Sequence, residues 1–161
     1  MTAVPSNAIE IAPVFSATPE IAELIAELND ELSVLYNAHQ RHGLALDAIF
    51  QPHIRFFIAR KNGVAMGCGG VALFDDFAEV KRMYVRDAAR GQGIADALMQ
   101  RLEAETRNAG LVLLKLETGI HSHAAIRFYE RRGFSVCRAF APYTAMPETS
   151  VVTSYFMEKL L

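Results

Sequence analysis

The sequence predicts a mixed α/β protein built around a single sheet, antiparallel at its start, with helices on both faces. Three observations predict it. Strand-like and helix-like segments follow one another in the order β-α-β-β-β-α-β-α-β-β, the pattern of elements layered on one sheet. Lys61-Asn62-Gly63 separates two apolar segments, a strong hairpin signal. The run Leu111-Val112-Leu113-Leu114-Lys115-Leu116 follows a helical segment and is nearly all apolar. Such a run suits a strand covered on both faces and reached by a parallel strand–helix–strand step.

Each element has its own local reason. The opening six residues are small and polar and are expected to fray. Ala8 to Val14 alternates as a first strand, placed at an edge because Pro13 cannot donate to a ladder. Thr18-Pro19-Glu20 reads as N-cap, proline in the first turn and an acid beside the positive helix end. Ile21, Leu24, Ile25, Leu28, Leu32 and Leu35 then recur at helical spacing, so a long amphipathic helix reaches about Tyr36. From Asn37 to His53 the chain is irregular, with one short helix around Leu44 to Phe50 and three histidines, His39, His42 and His53. Ile54 to Arg60, Val64 to Phe74 and Glu79 to Val85 form an antiparallel meander. The loop Arg90-Gly91-Gln92-Gly93 opens a helix carrying Ile94, Leu98 and Leu102 on one stripe, stopped at Asn108-Ala109-Gly110. A further helix begins at Ser122 and ends at Gly133, and the last strands are Phe134 to Arg138 and Val151 to Glu158.

Length and composition narrow the function. A chain of 161 residues is read as one domain over 1–161, large enough to bury a sizeable core without staples. Sixteen Lys and Arg against eighteen Asp and Glu give a net charge of −2, which offers no electrostatic reason to expect nucleic acid or an anionic membrane as partner. Cys68 and Cys137 exclude a disulfide scaffold and read as small buried hydrophobes in a reducing compartment. No apolar run is long enough to span a bilayer, and Met1-Thr2-Ala3-Val4-Pro5 shows no leader pattern, so a cytoplasmic location is expected. His121 and His123 flank one residue at a helix start, too sparse a set for a metal, and no metal is expected.

The informative segment is Arg90-Gly91-Gln92-Gly93-Ile94-Ala95, lying between a strand and a helix. Exposed amides and the positive helix end at such a place can hold a pyrophosphate, and Arg82, Arg86 and Arg90 add local positive charge. The alternative is a tight turn that needs glycine for geometry alone. A dinucleotide fold is disfavoured, because Asp96 occupies the sixth position of a G-x-G-x-x-G reading. Arg90-x-x-Gly93-x-Ala95, after a strand ending Lys-Arg-Met-Tyr-Val-Arg, resembles the acetyl-CoA pyrophosphate motif of the GNAT superfamily of N-acetyltransferases. Some thirty residues on, Ala125-Ile126-Arg127-Phe128-Tyr129-Glu130-Arg131-Arg132-Gly133-Phe134 is similar to that superfamily's second motif, A-I-x-[FL]-Y-x-x-x-G-F.

The resemblance implies a sheet of about seven strands, splayed at its centre so that the pantetheine arm of acetyl-CoA fills the gap between Glu79–Val85 and Leu111–Thr118. It places Met83, Tyr84 and Val85 along that arm, with Met83 and Val85 binding through backbone groups and the Met83 N–H polarising the thioester carbonyl. The amides from Gly91 through Gln92, Gly93 and Ile94 to Ala95, with the Arg90 and Gln92 side chains nearby, take the pyrophosphate. Tyr129 matches the tyrosine that protonates the leaving thiolate; the alternative is a core tyrosine with its hydroxyl satisfied. Glu79 matches a glutamate that relieves the attacking ammonium of its proton; the alternative is a partner for Lys81 or Arg82 on a solvated strand face. Ser122 stands where the family often has a cofactor-contacting Asn, and it can cap the helix that follows.

The expected activity is transfer of acetyl from acetyl-CoA to a primary amine by direct attack in a ternary complex. Segments 36–53 and 139–149 are expected to line the acceptor side. Their histidines, Phe50, Phe140 and Tyr143 favour a closed, partly apolar pocket for a small-molecule amine. Protein lysine or N-terminal acetylation, and a non-catalytic acetyl-CoA-binding module, are the alternatives; retention of both Glu79 and Tyr129 argues against the module. A homodimer is usual for the family.

Overall fold

The computed structural model describes residues 7–161; the opening residues read above as frayed and free of a leader lie outside it. Seven strands form one sheet: β1 (Ile9–Pro13), β2 (Ile54–Lys61), β3 (Val64–Leu73), β4 (Ala78–Val85), β5 (Leu113–Gly119), β6 (Ser135–Val136) and β7 (Ser154–Leu160). Their order is β1-β2-β3-β4-β5-β7-β6, antiparallel throughout except for the β4–β5 pair. The helices are α1 (Pro19–Leu35), α2 (Ile94–Asn108), α3 (His123–Arg131) and the single turn α4 (Glu148–Val151).

The local signals act as expected at most places. The Thr18 hydroxyl accepts from the Ile21 N–H and Pro19 occupies the first turn of α1. Gly110 and Gly133 close α2 and α3 at φ +78 and +94, values that favour glycine. Ile21, Leu24, Ile25 and Leu28 of α1 pack with Phe56, Ile58, Cys68 and Tyr84 on one face of the sheet. Ile94, Leu98, Met99 and Leu102 of α2 pack with Phe57, Ala59, Val71, Val80, Leu114 and Leu116 on the other.

Four expectations at the element level are corrected. The strand expected from Leu111 begins at Leu113, and its side chains alternate between buried and half-buried, with Val112 outside it and 57% exposed. Only its Leu114–Leu116 side faces a sealed core; Lys115 and Glu117 point the other way, Glu117 into the site and Lys115 over Phe77 and Phe140. Val151 ends the α4 turn, and the last strand starts at Ser154. The strand expected from Phe134 to Arg138 pairs only through Ser135 and Val136. Cys137 is half-buried, unlike Cys68, which is fully enclosed.

Two irregularities position the site. β4 and β5 pair only at Ala78↔Leu114 and Glu79↔Lys115, after which no ladder joins them. The sheet therefore opens into a V at its centre. Opposite Cys68–Gly70 the β3–β4 register shifts and Arg82 takes φ +53. This is a β-bulge on a non-glycine residue, a conformation costing about 1–3 kcal/mol that the surrounding structure must enforce. The bulge reverses the facing of the strand. Ala78 and Val80 point to the α2 side, whereas Tyr84 points to the α1 side.

Candidate active site

A cavity of about 760 Å³ lies over the V, lined from α1, the 40–43 segment, β4, the loop before α2, β5, the start of α3, and Tyr143. Its walls follow from the sheet. On the face opposite α2, α1 covers the β2–β4 half, and the segment bearing Tyr143 covers the β5–β7 half, where Tyr143 packs on Phe140 and Phe156. The space between them stays open.

At one end lies the glycine loop. Gly91 and Gly93 adopt φ +78 and +84, and Gly93 is the uncapped N-terminal residue of α2. The first amides of α2 thus face the cavity without side-chain caps, an arrangement suited to anionic oxygens. The three arginines expected to assist are engaged elsewhere. Arg86 is bound by Glu23, Glu27 and the Ala65 carbonyl. Arg90 pairs with Glu31 at 2.6 Å and with Asp87 at 3.3 Å. Arg82 reaches Asn29 on α1. Gln92 accepts from Lys61 at 3.1 Å. The Arg90 pairs are half-exposed and worth at most about 1 kcal/mol each, so they are easily exchanged for a ligand.

Along the V run Met83, Tyr84 and Val85, with β3 on one side and no strand on the other. The Tyr84 ring leaves the cavity for the α1-side core, where its hydroxyl reaches Glu27 and burial raises its pKa to about 12. Ser122 occupies the N-cap position of α3, but the expected side-chain cap is absent. Its Oγ lies 3.0 Å from the Tyr36 hydroxyl, which also accepts from the His121 N–H at 3.0 Å. Tyr36, packed flush on Gly119, ties the end of α1 to the start of α3.

At the other end are two carboxylates. Glu79 is 1% exposed, so its strand face is not solvated, while the Lys81 partner of the alternative reading is present. Its Oε2 accepts from the Tyr143 hydroxyl at 2.6 Å and from Lys81 Nζ at 2.9 Å. Its Oε1 is buried with no partner among the described residues. Across the V, Glu117 accepts from the Ser154 hydroxyl at 2.7 Å and lies 3.9 Å from His42 Nε2. That nitrogen also sits 2.7 Å from the Ser150 carbonyl, to which it donates. Burial, opposed by the Ser154 hydrogen bond and reinforced by Glu79, raises the Glu117 pKa from 4.5 to about 7. Tyr129 on α3 is 7% exposed and packs edge-on against Phe128 and Phe134. No group among the described residues accepts from its hydroxyl. Burial first, and Glu117 second, push its pKa above the usual phenol value.

Glu117 and Tyr36 were not singled out by the sequence reading, and Lys81 entered it only as a partner for Glu79. For Glu117 a signal existed: Leu114-Lys115-Leu116-Glu117 alternates, so its charges share the face that the apolar residues avoid. Of the residues expected to line the acceptor side, His42 and Tyr143 do so. Phe50 packs on Phe56, His53 on Phe74, and Phe140 into the ring cluster with Phe77 and Phe156. Among the described residues no group of three or more His, Cys, Asp or Glu is arranged to hold a metal, and no helix is long and apolar enough to cross a membrane.

This splayed sheet, with a glycine loop at one end of the V, has close counterparts. The sequence profile of the Acetyltransferase (GNAT) family matches residues 21–134. The chain belongs to the GNAT family of acetyltransferases. It is 41% identical over 143 residues to the IAA acetyltransferase of Azospirillum brasilense, covering 88% of this chain and 90% of that one. It is 32% identical over 126 residues to the aminoalkylphosphonate N-acetyltransferase of Salmonella typhimurium, covering 73% and 78%. The PaiA N-acetyltransferase of Thermoplasma acidophilum, solved with coenzyme A, shares the fold at TM-score 0.75 and 17% identity, over 96% of this chain and 99% of that one. This GNAT enzyme is thus an acyltransferase by family, with the mixed seven-stranded sheet that the resemblance implies.

The buried Glu117 carboxyl makes a prediction about stability. Its folded pKa lies above the unfolded value, so burial costs least below pH 4.5, where both states are protonated. The cost grows as pH rises towards about 7. Thermal unfolding from pH 4 to 8 is expected to show Glu117→Gln gaining on the wild type between pH 4.5 and about 7, by up to a few kcal/mol, and holding that gain above. A difference independent of pH would place the proton elsewhere.

Proposed function

We propose that the enzyme transfers acetyl from acetyl-CoA to a primary amine of a small molecule by direct attack in a ternary complex. The observation that carries this reading is the V between β4 and β5, which runs from the uncapped start of α2 to the Glu79–Tyr143 pair. The pantetheine arm lies in the V against the backbone of Met83 to Val85. The pyrophosphate rests on the amides of Gly91 to Ala95, and Ser122 contacts the cofactor from the far wall. The acceptor enters past His42 and Tyr143. Its ammonium binds the free Oε1 of Glu79, which removes the proton and frees the nitrogen to attack the thioester. The Met83 amide takes the developing oxyanion. Tyr129, kept protonated by its high pKa, donates to the departing thiolate, a modest requirement because thiolates are fair leaving groups.

Both named relatives carry names that specify small molecules, which favours such an acceptor over a protein. The test is release of free thiol from acetyl-CoA with a panel of amines, run beside basic peptides; faster turnover on peptides would reverse the acceptor class. Gly93→Asp is expected to abolish measurable cofactor binding in titration calorimetry. It puts a side chain at φ +84 and a negative charge beside the phosphates. Unchanged affinity would move the pyrophosphate away from this loop.

A further inference from the structure

Among the charged side chains around the cavity, most have an opposite partner. Glu79 has Lys81, Glu31 has Arg90, and Glu117 has the Ser154 hydroxyl with His42 nearby. Three arginines do not: Arg131 is exposed, whereas Arg41 and Arg82 each hold a sealed Nε. Arg82 is 9% exposed, its one hydrogen-bond acceptor for the guanidinium is the neutral amide of Asn29, and its Nε is buried without a partner. Arg41 lines the same cavity, and its Nε is likewise sealed and unpartnered. Neither forms an ion pair among the described residues. A buried guanidinium without a counter-ion is costly, and a planar fork of donors is matched best by an oxyanion.

The placement of Arg82 is built rather than incidental. The bulge at φ +53 turns its side chain from the α2 side to the cavity side. Gly43, itself in the cavity wall, leaves room for the guanidinium: a Cβ there would lie 1.9 Å from Nη1 and 2.8 Å from Cζ. Glu79 and Arg82 are three residues apart on one strand, about 10 Å or less. One small molecule can touch both.

We propose that the acceptor carries an anionic oxyacid group, carboxylate or phosphonate, held by Arg82 with Arg41 beside it while the amine meets Glu79. This rests on the acetyl-transfer reading above and adds the class of acceptor to it. The anion supplies the missing counter-charge, and its distance from the amine selects chain length. A neutral amine leaves the guanidinium buried and unpaired, which is the stronger part of the discrimination.

The experiment compares amines in matched pairs: glycine with glycinamide, γ-aminobutyrate with its amide, and aminopropylphosphonate with butylamine. In the wild type, kcat/KM for the best anionic member is expected to exceed that of its neutral twin about a hundredfold or more. Arg82→Met should collapse that ratio to below about tenfold, chiefly through KM, with acetyl-CoA affinity by calorimetry unchanged. The carboxylate and phosphonate arms report which oxyacid fits. Gly43→Ala keeps the arginine and displaces its guanidinium, so it serves the same comparison should Arg82→Met not fold. Neutral twins used equally well by the wild type, or an Arg82→Met loss shared equally by both twins, would overturn the anion site and leave acetyl transfer standing. Acetyl-CoA bound but no amine of either kind acetylated would defeat the acetyl-transfer reading, and the acceptor class with it.

Discussion

Glu79→Gln is expected to lower turnover at neutral pH by about a hundredfold or more, with part of the loss returning at high pH. The substitution keeps the shape of the side chain, and the Tyr143 hydroxyl, now 2.6 Å from Oε2, retains an oxygen to donate to. What disappears is the charge that attracts an ammonium and the basicity that takes its proton. At neutral pH amines are almost wholly protonated and unreactive; at high pH free amine arrives ready to attack, and the need for a base falls away. Turnover against pH for both proteins decides the matter. Curves of equal height and shape would remove Glu79 from the reaction. A deeper loss in Glu117→Gln than in Glu79→Gln would move the base across the V to the carboxyl whose pKa is raised to about 7.

Tyr129→Phe is expected to fold normally and bind acetyl-CoA nearly as before, yet turn over about ten- to a thousandfold more slowly. The ring packing against Phe128 and Phe134 survives the change, and the hydroxyl takes no protein partner whose loss would destabilise the core. Only the proton for the leaving thiolate is lost. Single-turnover kinetics with acetyl-CoA, beside thermal unfolding of the variant, separates chemistry from stability. Loss of folding with intact chemistry per folded molecule would make Tyr129 a packing residue.

Elements set by local chemistry were legible in the sequence. Thr18-Pro19 starts α1, Gly110 stops α2, and Lys61-Asn62-Gly63 turns β2 into β3. The glycine loop, Glu79 and Tyr129 were legible because each sits in a short contiguous pattern. Contacts made by residues far apart in the chain were not. Glu79 meets Tyr143 across 64 positions and Tyr36 meets Ser122 across 86, and nothing local marks either. The Ser122 cap failed for that reason: Tyr36 claims the hydroxyl. The bulge at Arg82 has no sequence signature, since a non-glycine residue carries it, and so the reading sent three arginines towards the glycine loop. Instead, two neutralise acids and the third turns towards α1.

The two-pair ladder between β4 and β5 also bears on the protein's handling. Beyond Glu79 and Lys115 the molecule carries two interior edges, each a row of backbone donors and acceptors turned towards the crevice. Unpaired edges recruit other strands, and amides along them open most readily to solvent. Hydrogen exchange is therefore expected to be faster at the crevice-facing amides of Val80–Val85 and β5 than at the paired amides of β2 and β3. A ligand laid in the crevice acts as a splice, bonding both halves into one continuous sheet. Purified protein stripped of such a ligand should stick to itself sooner on warming, and the remedy is to store it with the crevice filled.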